Sequence, residues 1–141
     1  MLKRLSILFT VILFITMNIY SEDHRSASPS GAKVYIISPA DGEVVSKTFK
    51  VKFGLHGMGI APAGVEVANT GHHHLMVDLK RLPNMKKPMA PGKIKHFGKG
   101  QTETTVTLPP GKHTLQLIMG NHIHIPHNPP VVSEKITIIV E

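Results

Sequence analysis

The sequence predicts an all-β protein, an antiparallel sandwich. Three observations predict it. Short stretches alternate apolar and polar residues with period two, clusters of proline, glycine and aspartate separate them, and no helical periodicity of useful length is found past residue 21. Alternation sends successive side chains to opposite faces, so each stretch buries one face.

The first strand is expected over 33–37, where Val34 and Ile36 alternate with polar neighbours. Ser38-Pro39-Ala40-Asp41-Gly42 supplies turn chemistry. Over 45–55, Phe49, Val51, Phe53 and Leu55 alternate with Lys50, Lys52 and Gly54, the pattern of a half-buried strand. A glycine-rich loop over 56–71 follows, with a short edge strand expected at 65–67. The third main strand covers 72–79, with Leu75, Val77 and Leu79 on the core face and His72, His74, Met76 and Asp78 on the other. His73 shares the parity of the core residues. A long connection over 80–101 leads to strands over 101–108 and 112–119, joined at Pro109-Pro110-Gly111, with Leu115, Leu117 and Met119 inward. The last strand, 133–140, puts Ile136, Ile138 and Val140 on one face.

Lys3 and Arg4 precede an apolar run ending at Tyr20, the pattern of a secretory signal peptide over 1–21 with a cut expected after Ser21. An uncleaved anchor is the alternative, because the run approaches membrane-spanning length. Cleavage leaves no membrane span and implies a periplasmic or secreted address. Residues 22–32 are polar and rich in serine and read as a flexible leader, which leaves 33–141 as one domain. There is no cysteine, so a core alone, or a core plus bound metal, must hold the fold together.

The net charge is +7, or +5 without Lys3 and Arg4. Lys80, Arg81, Lys86, Lys87, Lys93, Lys95 and Lys99 fall in one window with no acidic residue between them. Such a window is a solvated loop, or a surface for an anionic polymer or envelope protein through Lys86, Lys87, Lys93 and Lys95. No nucleophile motif, phosphate loop or dinucleotide fingerprint occurs, so no enzymatic activity is expected. No nucleic-acid partner is expected either.

The histidines carry the functional argument. Gly120 to Pro130 holds His122, His124 and His127, and in an extended segment His122 and His124 face one side. His72-His73-His74 lies some fifty positions earlier. In immunoglobulin-like strand order the 56–71 and 120–132 loops gather at one pole, bringing His72, His74, His122, His124 and His127 together, with His56, His96 and Met58 as secondary candidates. His113 goes to the other pole. Crowded imidazoles repel when protonated, and a metal ion relieves the conflict by taking their lone pairs. Imidazole suits copper and zinc, and Met58, Met76 and Met119 add thioethers that favour copper, although Met119 has core parity. Glu66, Asp78 and Glu103 are the carboxylates in this region, few for a hydrolytic site. The expected function is therefore copper or zinc handling or storage. The alternatives are anion binding by the basic window and a structural domain whose histidines make hydrogen bonds.

Asn69-Thr70-Gly71-His72-His73-His74-Leu75, His96-Phe97-Gly98-Lys99-Gly100-Gln101-Thr102-Glu103, Leu108-Pro109-Pro110-Gly111-Lys112-His113-Thr114-Leu115 and the His122-to-Pro130 stretch, together with Ser38 to Gly42, resemble a bacterial family known as domain of unknown function 4399. That resemblance implies a small exported domain and supplies no activity. Leu108-Pro109-Pro110-Gly111 with its following strand is also similar to a corner of periplasmic copper-resistance sandwiches, with His113 where a tyrosine is commoner.

Overall fold

Phe49, Val51 and Phe53, separated by lysines in the sequence, all point inward and pack with Val34 and Val106 against Leu75, Leu115, Leu117 and Ile138. This is the core of a sandwich of two sheets. In the computed structural model, which describes residues 22–141, the strands are β1 (Lys33–Ser38), β2 (Val44–Val45), β3 (Thr48–His56), β4 (Gly59–Ile60), β5 (Thr70–Val77), β6 (Ile94–His96), β7 (Glu103–Thr107), β8 (Gly111–Gly120) and β9 (Ile136–Val140). One sheet runs β1-β3-β7 and the other β2-β9-β8-β5-β4, with β6 also paired to β5. The pairs are antiparallel apart from β2–β9 and β4–β5, which are parallel. No helix is assigned among the described residues, and the all-β antiparallel class stands as expected.

Several local expectations change. The stretch 45–55 is divided, because β2 pairs with β9 while β3 pairs with β1 and β7. The chain thus crosses from one sheet to the other around Ser46 and Lys47. The edge strand expected at 65–67 is found instead at Gly59–Ile60, where the N–H groups of Gly59 and Ala61 donate to the carbonyls of Asn69 and Gly71. Val65 and Val67 are exposed. Leu79 leaves the core face because Asp78 takes φ 51°, which reverses the chain just after β5.

The outer face of β5 is not wet. His72, His74 and Met76 are at most 1% exposed. The long connection after β5 folds back over this face and builds a second apolar cluster from Met76, Met89, Ile94 and Ile118, with Leu79, Met85 and Val132 at its edge. Its lysines stay in solvent while Met89 and Ile94 face the sheet, so the basic window is the outer side of a cover. Part of the 22–32 segment touches the domain. Ala27 forms a bridge with Asn128, and the N–H groups of Ser28 and Asn128 donate to Asn128 and Ser26 carbonyls.

Candidate metal centre

Strand geometry delivers two imidazoles directly. His72 and His74 lie two apart on β5, on the same face, with ring centroids 4.7 Å apart. β6 pairs antiparallel with β5 so that His96 is the register partner of His74, and their rings lie 5.1 Å apart. The fourth comes from the loop after β8. Asn121 organises that loop: its Oδ1 accepts the N–H groups of Ile123 and Ile125 at 3.1 and 2.9 Å, and its carbonyl accepts the N–H of His124 at 2.8 Å. His124 therefore sits in a tight turn at φ 66°, with its ring 5.2 Å from that of His72 and 4.5 Å from that of His96.

His72 Nε2 is 3.2 Å from His124 Nδ1 and 3.1 Å from His96 Nε2. Four ligands at bonds of roughly 2.0–2.1 Å stand about 3.3 Å apart along the edges of a tetrahedron, close to these two contacts. One ring nitrogen from each of His72, His74, His96 and His124 lies within 4.8 Å of the others. The four lie close enough to hold a metal ion, and closing on one would draw the widest pair inward. Hydrogen bonding alone leaves part of the cluster unserved: His72 Nε2 faces His96 and His124, whereas His74 Nδ1 is buried without a partner.

Glycines make room for the rings. A Cβ at Gly120 would stand 2.5 Å from His74 Cε1, and one at Gly98 would collide with the ring of His96. Burial pushes His74 down to about 3 and His72 down to about 4, and the neighbouring imidazoles push in the same direction. His96 is lowered by burial and by His124. His72, His74 and His96 thus favour the neutral form, the one in which imidazole ligates metal. His96 is exposed and His124 half-buried, so the centre opens on that side.

The motifs that build this centre lie inside residues 51–141, which match the family model described as "Domain of unknown function (DUF4399)". The chain belongs to the DUF4399 family. No curated protein and no solved structure matches it, and the copper-resistance likeness of the 108–111 corner gains no support from them. All the candidate-ligand histidines lie within the DUF4399 segment, and the Ser38–Gly42 turn lies outside it.

The other candidates of this DUF4399 chain lie elsewhere. His122 points away from the cluster because 122–124 is a turn rather than an extended run; its Nε2 is 3.8 Å from the exposed Glu66 carboxylate. His127 is fully buried, and its Nε2–H donates to the Thr70 carbonyl at 3.0 Å, with its ring beside Gly71. His56 is exposed at the end of β3, opposite Lys33. Met58 packs at the edge of the main core, Met119 lies within it, and Met76 belongs to the outer apolar cluster. His73 packs on Phe53 at 5.1 Å between centroids, a core histidine as its parity indicated. Glu103 pairs with Lys50 at 2.9 Å, and Asp78 lies at the far end of β5 beside His113. Lys86, Lys87, Lys93 and Lys95 are exposed. His96, ranked second by sequence, is central, and Met89 was not singled out at all. The signal for His96 was the glycine two positions on, which its ring requires.

Proposed function

We propose that this chain binds one transition-metal ion, copper or zinc, through His72, His74, His96 and His124, for handling or storage rather than catalysis. The observation that carries this reading is the convergence of four imidazole nitrogens, two pairs at 3.1 and 3.2 Å, with no carboxylate in the group. Imidazole nitrogens that face one another with their lone pairs repel unless a proton or an ion lies between them. A metalloenzyme of the hydrolytic type needs a general base beside the ion, and Glu66 reaches only His122. An exported location follows from the basic-apolar start and belongs to the same proposal.

Metal analysis and calorimetry on untagged full-length protein test it. One equivalent of metal is expected, lost in the double variant His74→Ala, His96→Ala. Absence of binding by copper(I), copper(II) and zinc at neutral pH would overturn it. A second reading, adhesion to anionic polymer, is favoured by the exposed Lys86, Lys87, Lys93 and Lys95 with no acid between Lys80 and Lys99. Replacing these four with glutamine would then abolish salt-sensitive retention on such a polymer.

A further inference from the structure

We propose that the four-histidine centre takes a monovalent soft cation, copper(I), with silver(I) as its redox-inert counterpart, and that Met89 supplies a thioether to it. This rests on the metal-binding reading above and goes beyond it by naming the charge of the ion and a thioether that completes a four-coordinate set with three of the imidazoles.

The neutral donor set favours an ion of low charge. Every donor in the group is a neutral imidazole, and no carboxylate joins it. His72 and His74 are 0% and 1% exposed, so an ion there is removed from water on the β5 side, while the centre stays open beside His96. The cost of burying an ion grows with the square of its charge, and here no anionic ligand offsets it for a divalent ion. The cover adds positive charge, since Lys95 is the register partner of Leu75, next to His96, and Lys93 lies just before β6.

Met89 is the second, independent observation. It is 9% exposed and lines a cavity of about 220 Å³ together with His74, His96 and His124. Its methyl lies 3.0 Å, and His74 Cε1 2.5 Å, from the point where a Cβ of Gly120 would stand. The backbone fixes it there: Met89 N–H donates to the His124 carbonyl at 3.0 Å, which ties the segment carrying the sulfur to the loop carrying a ligand. A thioether is a soft donor that selects copper(I) over zinc. Packing alone would be served as well by leucine, and that is the distinction the test uses.

Full-length protein, produced with its own N-terminal segment and without a tag, is stripped of metal and titrated anaerobically. Copper(I) is delivered from a chromophoric chelator, with silver(I) and zinc(II) in parallel. Copper(I) and silver(I) are expected to bind one equivalent, more tightly than zinc by about 100-fold or more. Met89→Leu is expected to weaken copper(I) and silver(I) by about tenfold while leaving zinc affinity and the unfolding midpoint unchanged. Sulfur scattering at the copper absorption edge should disappear in the same variant. If zinc or copper(II) binds as tightly as copper(I), and His74→Ala with His96→Ala abolishes that binding, the metal reading stands and the monovalent assignment falls. If Met89→Leu changes neither affinity nor scattering, the thioether assignment falls. Binding of none of these ions would sink the metal reading itself.

Discussion

His113 Nδ1 lies 2.7 Å from Asp78 Oδ2, just past the end of β5 remote from His72. The other ring nitrogen donates to the Pro109 carbonyl at 2.9 Å, and Asp78 Oδ1 accepts the Thr114 N–H at 2.9 Å. Both nitrogens of His113 face acceptors, so the charged imidazolium fits this corner. The hydrogen bond to Asp78 raises His113 above its ordinary value, against a smaller effect of partial burial. For Asp78, burial pushes upward, but the bonds from His113 and Thr114 outweigh it and leave the carboxyl lowered. The raised histidine contributes stability that is full below about 6.5 and lost as pH rises through its folded value. The lowered carboxyl contributes above about 3.9 and is lost as pH falls. Their joint window is mildly acidic. His113→Ala should cost about 1 kcal/mol in urea unfolding near pH 5.5, the pair being partly screened by solvent, and less at pH 9.

The histidines on β5 act in the opposite sense. Burial lowers His72 and His73 to about 4 and His74 to about 3. A histidine depressed by folding binds its proton in the unfolded chain first, so its contribution is full above about 6.5 and lost as pH falls toward the folded value. Each ring contributes up to about 1.4 kcal/mol per pH unit in that window. Metal-free protein should therefore lose stability between pH 6.5 and 4, measured by urea midpoints. An added ion that binds only the native state should raise those midpoints at pH 7.

Gly98→Ala separates the centre from the fold. Its Cβ would collide with the ring of His96, an exposed residue, and stand 3.1 Å from Ala63 Cβ. Metal affinity should fall about tenfold or more while stability changes by no more than about 0.5 kcal/mol. Gly120→Ala differs, because its Cβ meets the buried His74 ring and the Met89 methyl. It should lower both affinity and stability, the latter by about 1–3 kcal/mol, as overpacking does.

Histidine scanning discriminates among neighbours in sequence. His122→Ala should leave metal affinity within about twofold, because that ring stands beside Glu66 rather than in the cluster. His124→Ala should remove tight binding. His127→Ala should destabilise by about 2–4 kcal/mol, since it empties a fully buried position and leaves the Thr70 carbonyl without its donor.

How far these residues were legible in the sequence depends on distance along the chain. Period-two alternation located the main strands, and parity correctly put His73 and Met119 inside and His72 with His74 on one face. Strand order also sent His113 away from the others. The misreadings share one cause, which is backbone that leaves the extended state. His122 and His124 share a face only if 122–124 is a strand, and the Asn121 side chain bends it into a turn. Leu79 belongs to the core only if Asp78 continues β5, and its φ of 51° does not. Met89 had no periodic neighbours at all; its place depends on a connection folding back over a sheet, which local pattern does not encode.

The Ala27–Asn128 bridge has a consequence for how the molecule is made. The hydrogen bonds of Asn121 to His24 and Ser26 join positions 97 and 95 residues apart. The turn that presents His124 is fastened by a segment synthesised long before it, so these contacts are among the longest loops the chain must close. A ribosome must finish nearly the whole polypeptide before that latch can engage. Chains ending before Asn121 lack both these contacts and His124, one of the four clustered histidines. On the proposed metal-binding reading, the four-histidine set is complete only once the last of its members, His124, has been made and its turn fastened.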